Sequence, residues 1–244
     1  VSVQLPVTST SITESAFQRC NGLTSLNFSS PLSLTSIGDL PFYKCTGLTS
    51  VILPASLTSI GSNAFYKCTG LTSFSFSSPS SLTSIGETAF YNCTGLTSVT
   101  IPGSVTSIGR NAFQYCSGLT SITANKPIPV DLSSSSNVFY DVNKTTCILQ
   151  VPYGAKVLYA AANQWKDFIN INELPGFRLS ATAYKLAADA GSAALVNMTS
   201  DVTWTARSDQ AWLTPSPLSA SGTNTLTLTA QGNTRIASRI AIVT

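Results

Sequence analysis

Residues 82–102 read Leu-Thr-Ser-Ile-Gly-Glu-Thr-Ala-Phe-Tyr-Asn-Cys-Thr-Gly-Leu-Thr-Ser-Val-Thr-Ile-Pro, and the core of that stretch occurs five times. Ile12 to Leu23, Ile37 to Leu48, Ile60 to Leu71, Ile85 to Leu96 and Ile108 to Leu119 all follow I-x-x-x-x-F-x-x-C-x-G-L without a gap. Their starts lie 25, 23, 25 and 23 residues apart, because alternate units end in a longer F-S-S-P (Phe28 to Pro31, Phe76 to Pro79) or a shorter aliphatic-Pro segment (Leu53-Pro54, Ile101-Pro102). A period of this length is the mark of a solenoid, one turn per unit. No unit can bury its Ile, Phe, Cys and Leu alone; stacking buries them as columns.

Inside a unit, Leu96 to Ile101 sets Val99 and Ile101 on alternate positions, the pattern of a short half-buried strand that Pro102 stops. Stacked units then make a parallel sheet. Ala-Phe-Tyr-x-Cys (Ala64 to Cys68, Ala89 to Cys93) places Phe three residues before Cys, one face of a short helical turn, and the Gly two residues past each Cys suits its termination. Leu57 and Ile60, or Val105 and Ile108, return the chain to the next rung. Val3 to Ile12 aligns with Val51 to Ile60, so the first rung either continues upstream repeats or stands partly open. After Lys126 the pattern loosens. A helical stretch from about Ala155 to Phe168 is expected to fold Tyr159, Trp165 and Phe168 over the last rung.

Asn172 to Gly176 reads as a linker. Beyond it Thr, Val and Leu alternate, with Leu226, Leu228 and Ala230, then Ile240 and Ile242, on alternate positions, which suggests a small antiparallel sandwich. The expected fold class is therefore a mainly β repeat solenoid of short parallel strands and short helical turns over 1–172, followed by an immunoglobulin-like β-sandwich over 177–244.

Composition narrows the chemistry. Of 244 residues, 43% are hydrophobic and only 9% charged, while 68 are Ser or Thr, so polarity is carried by hydroxyls. A net charge of +3 without a basic run gives no nucleic-acid stripe and no polybasic membrane patch. No stretch nears the roughly 18 apolar residues of a membrane span. The absence of His removes the Ser-His and Cys-His nucleophile pairs and the His-based zinc sites. The ten acidic residues are scattered, with no calcium-loop spacing. A non-enzymatic protein without cofactor or metal is expected.

The motif L-T-S-I-G-x-x-A-F-Y-x-C-T-G-L-T-S-V-T-I-P resembles the BspA-type leucine-rich repeat of bacterial surface proteins. That resemblance implies a leucine-rich-repeat solenoid displayed outside the cell and used for adhesion to host or matrix proteins. Val202 to Trp204, Ala211 to Pro217, Gly222 and Thr225 to Thr229 are similar to the BACON domain, an immunoglobulin-like module. That likeness implies a glycan- or mucin-binding role, or that of a spacer, and a wholly structural stalk is a third reading. Identity of the ligand and oligomeric state stay open.

Cys20, Cys45, Cys68, Cys93 and Cys116 share one repeat position, where parallel side chains oppose the disulfide torsion; they read as a buried column of free thiols. On that basis Cys68→Ser is expected to bury a hydroxyl among apolar groups. Candidate contact residues follow each Phe: Tyr43-Lys44, Tyr66-Lys67, Tyr91-Asn92 and Gln114-Tyr115 form an aromatic and basic stripe. Either these rings meet a partner or they cover the ridge between rungs. The opposite face offers hydroxyls at Ser50, Ser73, Ser98 and Thr100 beside Ile52. In the second region Trp204 and Trp212 would stack on sugars if exposed and serve the core if buried, and Pro215 to Thr223 reads as its binding loop.

Overall fold

The computed structural model describes residues 2–3, 8–28, 33–77, 79–179, 184–187, 189–200, 202–233 and 240. Its contacts divide the chain into two units, Val1–Glu173 and Leu174–Thr244.

In the first unit the Leu-Thr-Ser-x-x-x segments lie as parallel strands, Ser25–Asn27, Ser50–Leu53, Ser73–Phe76, Ser98–Ile101 and Ser121–Ala124, continued by Ile148–Val151 and Asn170–Glu173. Register is exact by repeat position: Val51 pairs with Leu26 and Phe74, Ile122 with Val99 and Leu149. Leu26, Val51, Phe74, Val99, Ile122 and Leu149 all point inward and are buried. The ladder is interrupted between Ser73–Phe76 and Ser98–Ile101, which belong to different sheets. There Phe74 replaces the aliphatic residue of other rungs and sits edge-on to Phe65 and Phe90, at 5.4 and 4.6 Å between ring centroids. The return segments Ser11–Ile12, Ser36–Ile37, Ser59–Ile60, Ser84–Ile85 and Ser107–Ile108 form a second parallel sheet, which the sequence reading did not separate from the connection.

Threonine explains both sheets' persistence. Thr49, Thr72, Thr97 and Thr120 each donate Oγ1–H to the carbonyl of the equivalent Thr one rung back, at 2.9, 3.0, 3.3 and 3.1 Å. Thr35, Thr58, Thr83 and Thr106 do the same along the second sheet, at 3.2, 2.8, 3.0 and 3.2 Å. Much of the hydroxyl content is thus a pair of structural ladders, each bond contributing on the order of 1 kcal/mol.

The Ala-Phe-Tyr-x-Cys arc departs from expectation. It is a run of i→i+3 turns, Tyr66 N–H to Asn63 and Cys68 N–H to Phe65, with left-handed residues at Asn63 and Lys67 (both φ 56°). Other N–H groups of the arc point to the next rung: Asn63 to Glu87, Phe65 to Ala89 and Lys67 to Tyr91. A helix would keep these donors within itself; exporting them ties rung to rung. Among the described residues the one α-helix is Lys156–Ala161, shorter than the expected stretch, because the chain turns extended at Ala162 (ψ 143°). The Gly after each Cys has no left-handed backbone and terminates no helix. From Gly47 onward it is needed for approach: a Cβ on Gly95 would lie 2.5 Å from the Thr69 carbonyl oxygen of the rung before, whereas one on Gly22 would meet nothing.

Phe42, Phe65, Phe90 and Phe113 stack face to face at 5.1 to 5.3 Å and are fully buried. Tyr159, Trp165 and Phe168 close the column. Trp165 Nε1–H donates to Val130 O (2.9 Å) and Tyr159 O–H to Lys126 O (2.8 Å), so each ring's polar end is satisfied where it is buried.

In the second unit Phe177–Leu179, Ala193–Ser200, Asn224–Ala230 and Leu213–Ser216 make an antiparallel sheet in that order, and Thr203–Thr205 pairs with Ser219–Ser221. The β-rich arrangement fits an immunoglobulin-like domain. Val196, Met198, Trp204, Leu213, Leu226 and Leu228 form its core. Ile240 is exposed, contrary to the expected alternation, and Ile242 lies outside the described residues.

Candidate functional site

Tyr43, Tyr66 and Tyr91 follow the Phe column on the outer side of the arc, all half-buried. Their rings stack at 4.9 and 4.8 Å, with interplanar angles of 7° and 6°. Ring faces are therefore largely spent on neighbouring rings, and edges and phenol groups remain for solvent. Burial, and then the neighbouring phenols, push the Tyr66 and Tyr91 hydroxyls above their ordinary pKa, so these two stay protonated at neutral pH. Lys44 Nζ lies 5.2 Å from the Tyr43 ring centroid and Lys67 Nζ 5.4 Å from that of Tyr66, within cation–π reach.

Tyr115 is displaced by one residue from this register. Gln114 takes the place of the stacked ring, and Tyr115 takes the left-handed place of Lys44 and Lys67, with φ 61°. It meets Tyr91 edge-on, at 5.2 Å and 83°. Tyr140, which the sequence reading missed, extends the stripe beyond it at 5.6 Å and is 52% exposed. Its signal was present in Asn137-Val-Phe-Tyr-Asp-Val142, a sixth unit whose Cys has become Val142.

Ser50 is half-buried, and Ser73, Ser98 and Thr100 are exposed on the sheet face. Ser50 and Ser73 are paired neighbours. The interrupted ladder separates them from Ser98 and Thr100, so the hydroxyl face is not one continuous sheet. Ile52 is 41% exposed within it.

The thiols are free, and Cys45, Cys68, Cys93 and Cys116 are buried while Cys20 is exposed. Each buried thiol of this column donates to the Phe carbonyl of the preceding rung, Cys45 to Phe17 at 2.9 Å, Cys68 to Phe42 and Cys93 to Phe65 at 3.1 Å, Cys116 to Phe90 at 3.0 Å. Burial raises their pKa, to about 11 at Cys45 and about 12 at Cys116, so they are not nucleophiles at neutral pH. Among the described residues no cluster of Cys, Asp or Glu could hold a metal ion, and no helix is long and apolar enough to cross a membrane.

In the second unit Trp204 is core, its Nε1–H donating to Gly222 O at 3.2 Å, and Trp212 is half-buried against that core. The segment 215–223 is not one free loop: Pro215 is buried in a strand opposite Leu228, and Ser219–Ser221 is a strand. The open depression beside it, about 690 Å³, is lined by Thr205, Arg207, Asp209, Pro215 and Leu218 and by neither tryptophan.

Six copies of the BspA type leucine rich repeat region match over residues 1–120 and 35–153, and the viral BACON domain matches over 177–244. Neither is a catalytic domain. No curated protein matches the chain. Among solved structures it is similar to a Treponema pallidum leucine rich repeat protein, 34% identical over 50% of this chain and 57% of that one, TM-score 0.45. A leucine rich cell surface protein of Faecalibacterium prausnitzii is 26% identical over 61% and 39%, TM-score 0.38, and a leucine-rich repeat protein of Bacteroides ovatus 23% identical over 71% and 54%, TM-score 0.40. The chain spans from about two fifths to just over half the length of these proteins. With the repeat match covering more than half of its residues, the chain belongs to the BspA-type leucine-rich repeat family and carries a BACON domain after the repeats.

Proposed function

We propose that this protein is a non-enzymatic adhesion protein of a bacterial cell surface, whose solenoid binds host or matrix proteins through the tyrosine stripe. The observation that carries the reading is the stripe itself: Tyr43, Tyr66, Tyr91, Tyr115 and Tyr140 run unbroken over five rungs with Lys44 and Lys67 beside them. Aromatic residues with polar tips are enriched at contact hot spots, and a row of them lets many rungs contribute at once. The family match supports surface display. The alternative, glycan capture by the second domain, is not favoured, because Trp204 is spent on the core.

The test is binding of the whole chain to immobilised extracellular-matrix proteins and mucin, compared with Tyr43→Ser/Tyr66→Ser/Tyr91→Ser. The expected result is a protein partner whose affinity falls at least about tenfold in the variant. Unchanged binding by the variant would remove the stripe from the site.

A further inference from the structure

Arg19, Lys44 and Lys67 hold one place in three successive rungs. All three have the left-handed backbone, φ 58°, 58° and 56°. Each donates its N–H to the next rung, Arg19 to Tyr43 O at 2.8 Å, Lys44 to Tyr66 O at 2.7 Å and Lys67 to Tyr91 O at 2.8 Å. Equal φ values and equal anchors place the three residues at one position of the arc, one rung apart. The rung interval here is that of the adjacent tyrosine rings, 4.9 and 4.8 Å.

The arrangement costs stability twice. A long side chain is disfavoured in the left-handed region, where Asn is tolerated and where the following rung does carry Asn92 (φ 57°). Like charges on successive rungs repel, an effect that the Tyr43 and Tyr66 rings beside Lys44 and Lys67 soften. Among the described residues none of the three makes an ion pair to offset this. The fold imposes this backbone on every rung, so what points to function is the choice of a long cation in three successive rungs at a place that Asn92 fills without that cost. Asn92, Tyr115 and Asp141 then end the cationic run.

We propose that Arg19, Lys44 and Lys67 form a binding site for a linear acidic polysaccharide lying along the solenoid axis. Its carboxylate or sulfate groups pair with the three cations, and the phenol groups of Tyr43, Tyr66 and Tyr91 hydrogen-bond its hydroxyls. Spacing selects this class: one sugar unit of an extended polysaccharide advances by close to one rung, so a polymer charged on every unit meets all three cations, and one charged on alternate units, such as hyaluronan, meets Arg19 and Lys67. Acidic side chains on one face of an extended peptide recur at about 7 Å and fall out of step after the second contact. The stacked tyrosine faces leave no open platform for a sugar ring, so recognition is ionic and salt-sensitive. The proposal rests on reading this side of the solenoid as a binding surface.

The experiment measures binding of the whole chain to heparin, hyaluronan, neutral dextran and poly-glutamate. Expected are binding to heparin or hyaluronan, weakened by salt, and none to dextran; hyaluronan binding assigns carboxylate recognition, heparin alone sulfate recognition. Arg19→Gln/Lys44→Gln/Lys67→Gln should lose at least about tenfold, while Lys156→Gln/Lys166→Gln/Lys185→Gln, with the same change in charge, stays within about twofold. Equal losses in both variants, equal affinity for poly-glutamate, or no polysaccharide binding would overturn the proposal. If polysaccharide binding fails while Tyr43→Ser/Tyr66→Ser/Tyr91→Ser still abolishes a protein partner, only this inference falls. If the cation variant loses polysaccharide and the tyrosine variant keeps its protein partner, only the protein reading does.

Discussion

Leu40 holds φ 61°, a backbone region in which a branched apolar side chain is strained. Asn63 and Asn111 hold the same place in other rungs, at φ 56° and 57°, and Asn63 Oδ1 also accepts the Thr88 hydroxyl at 2.8 Å. Leu40→Asn should therefore raise stability by about 1 kcal/mol, read as a higher urea midpoint at unchanged slope. The same scale revises an expectation about Cys68. A hydroxyl placed there finds the Phe42 carbonyl that the thiol already uses, so Cys68→Ser buries no unpaired group. Its cost should stay near 1 kcal/mol, and a melt that drops as far as that of Cys68→Asp would contradict this.

Columns behave as elements in this fold, and the thiol column has a pH signature. Burial raises the folded-state pKa of Cys45 to about 11 and of Cys116 to about 12 from the ordinary 9.0 of a thiol, and Cys68 and Cys93 are raised as well. The unfolded chain releases these protons first, so the contribution is fully present below pH 9 and is lost as pH rises through the folded-state values. Unfolding free energy is expected to be level up to about pH 9 and to fall toward pH 11; the quadruple Cys→Ala variant should show a smaller alkaline decline. A decline of equal size would place its cause elsewhere, at Tyr159 first, whose buried hydroxyl is also raised. At the closing end of the solenoid, Gln164 takes the part of a further rung: its amide donates to the Leu132 and Ser135 carbonyls and accepts Val138 N–H at 2.8 Å. Gln164→Ala should cost about 2–4 kcal/mol, and Gln164→Glu, which sets a carboxylate oxygen against the Leu132 and Ser135 carbonyls, should cost at least as much.

At the scale of the whole solenoid, the stacked architecture was legible because every buried column recurs at one repeat position. Its outer arc was not: Phe three residues before Cys satisfies a helical turn and a chain of i→i+3 turns alike. The residues that separate the two are Asn63, Asn92 and Asn111, whose tolerance of the left-handed region argues against a helix. The tyrosine stripe, with Tyr115 in it, was legible by column, but the Cys-less unit of Tyr140 was not.

Stability in such an array is a sum over neighbouring rungs, so its weakest step governs where it opens. That step lies between the rungs of Cys68 and Cys93, where the strand ladder is interrupted and Thr97 N–H reaches Thr72 O at 3.5 Å, against 2.8 to 2.9 Å at Thr49, Thr72 and Thr120. Phe74 and Phe76, larger than the aliphatics elsewhere, pack edge to face at this step. Amides of 97–101 should thus exchange with deuterium faster than those of 120–124, although both strands carry equally buried side chains. Gly95 sits at the same step, and Gly95→Ala forces a methyl toward Thr69 O and Leu71 O, at 2.5 and 3.1 Å. The expected result is a loss of about 3 kcal/mol or more and a shallower or two-stage urea transition, because rungs on either side of the opened step no longer unfold together. Gly70→Ala, where the ladder is intact, should lower stability with less loss of cooperativity; the reverse ranking would place the weak joint elsewhere.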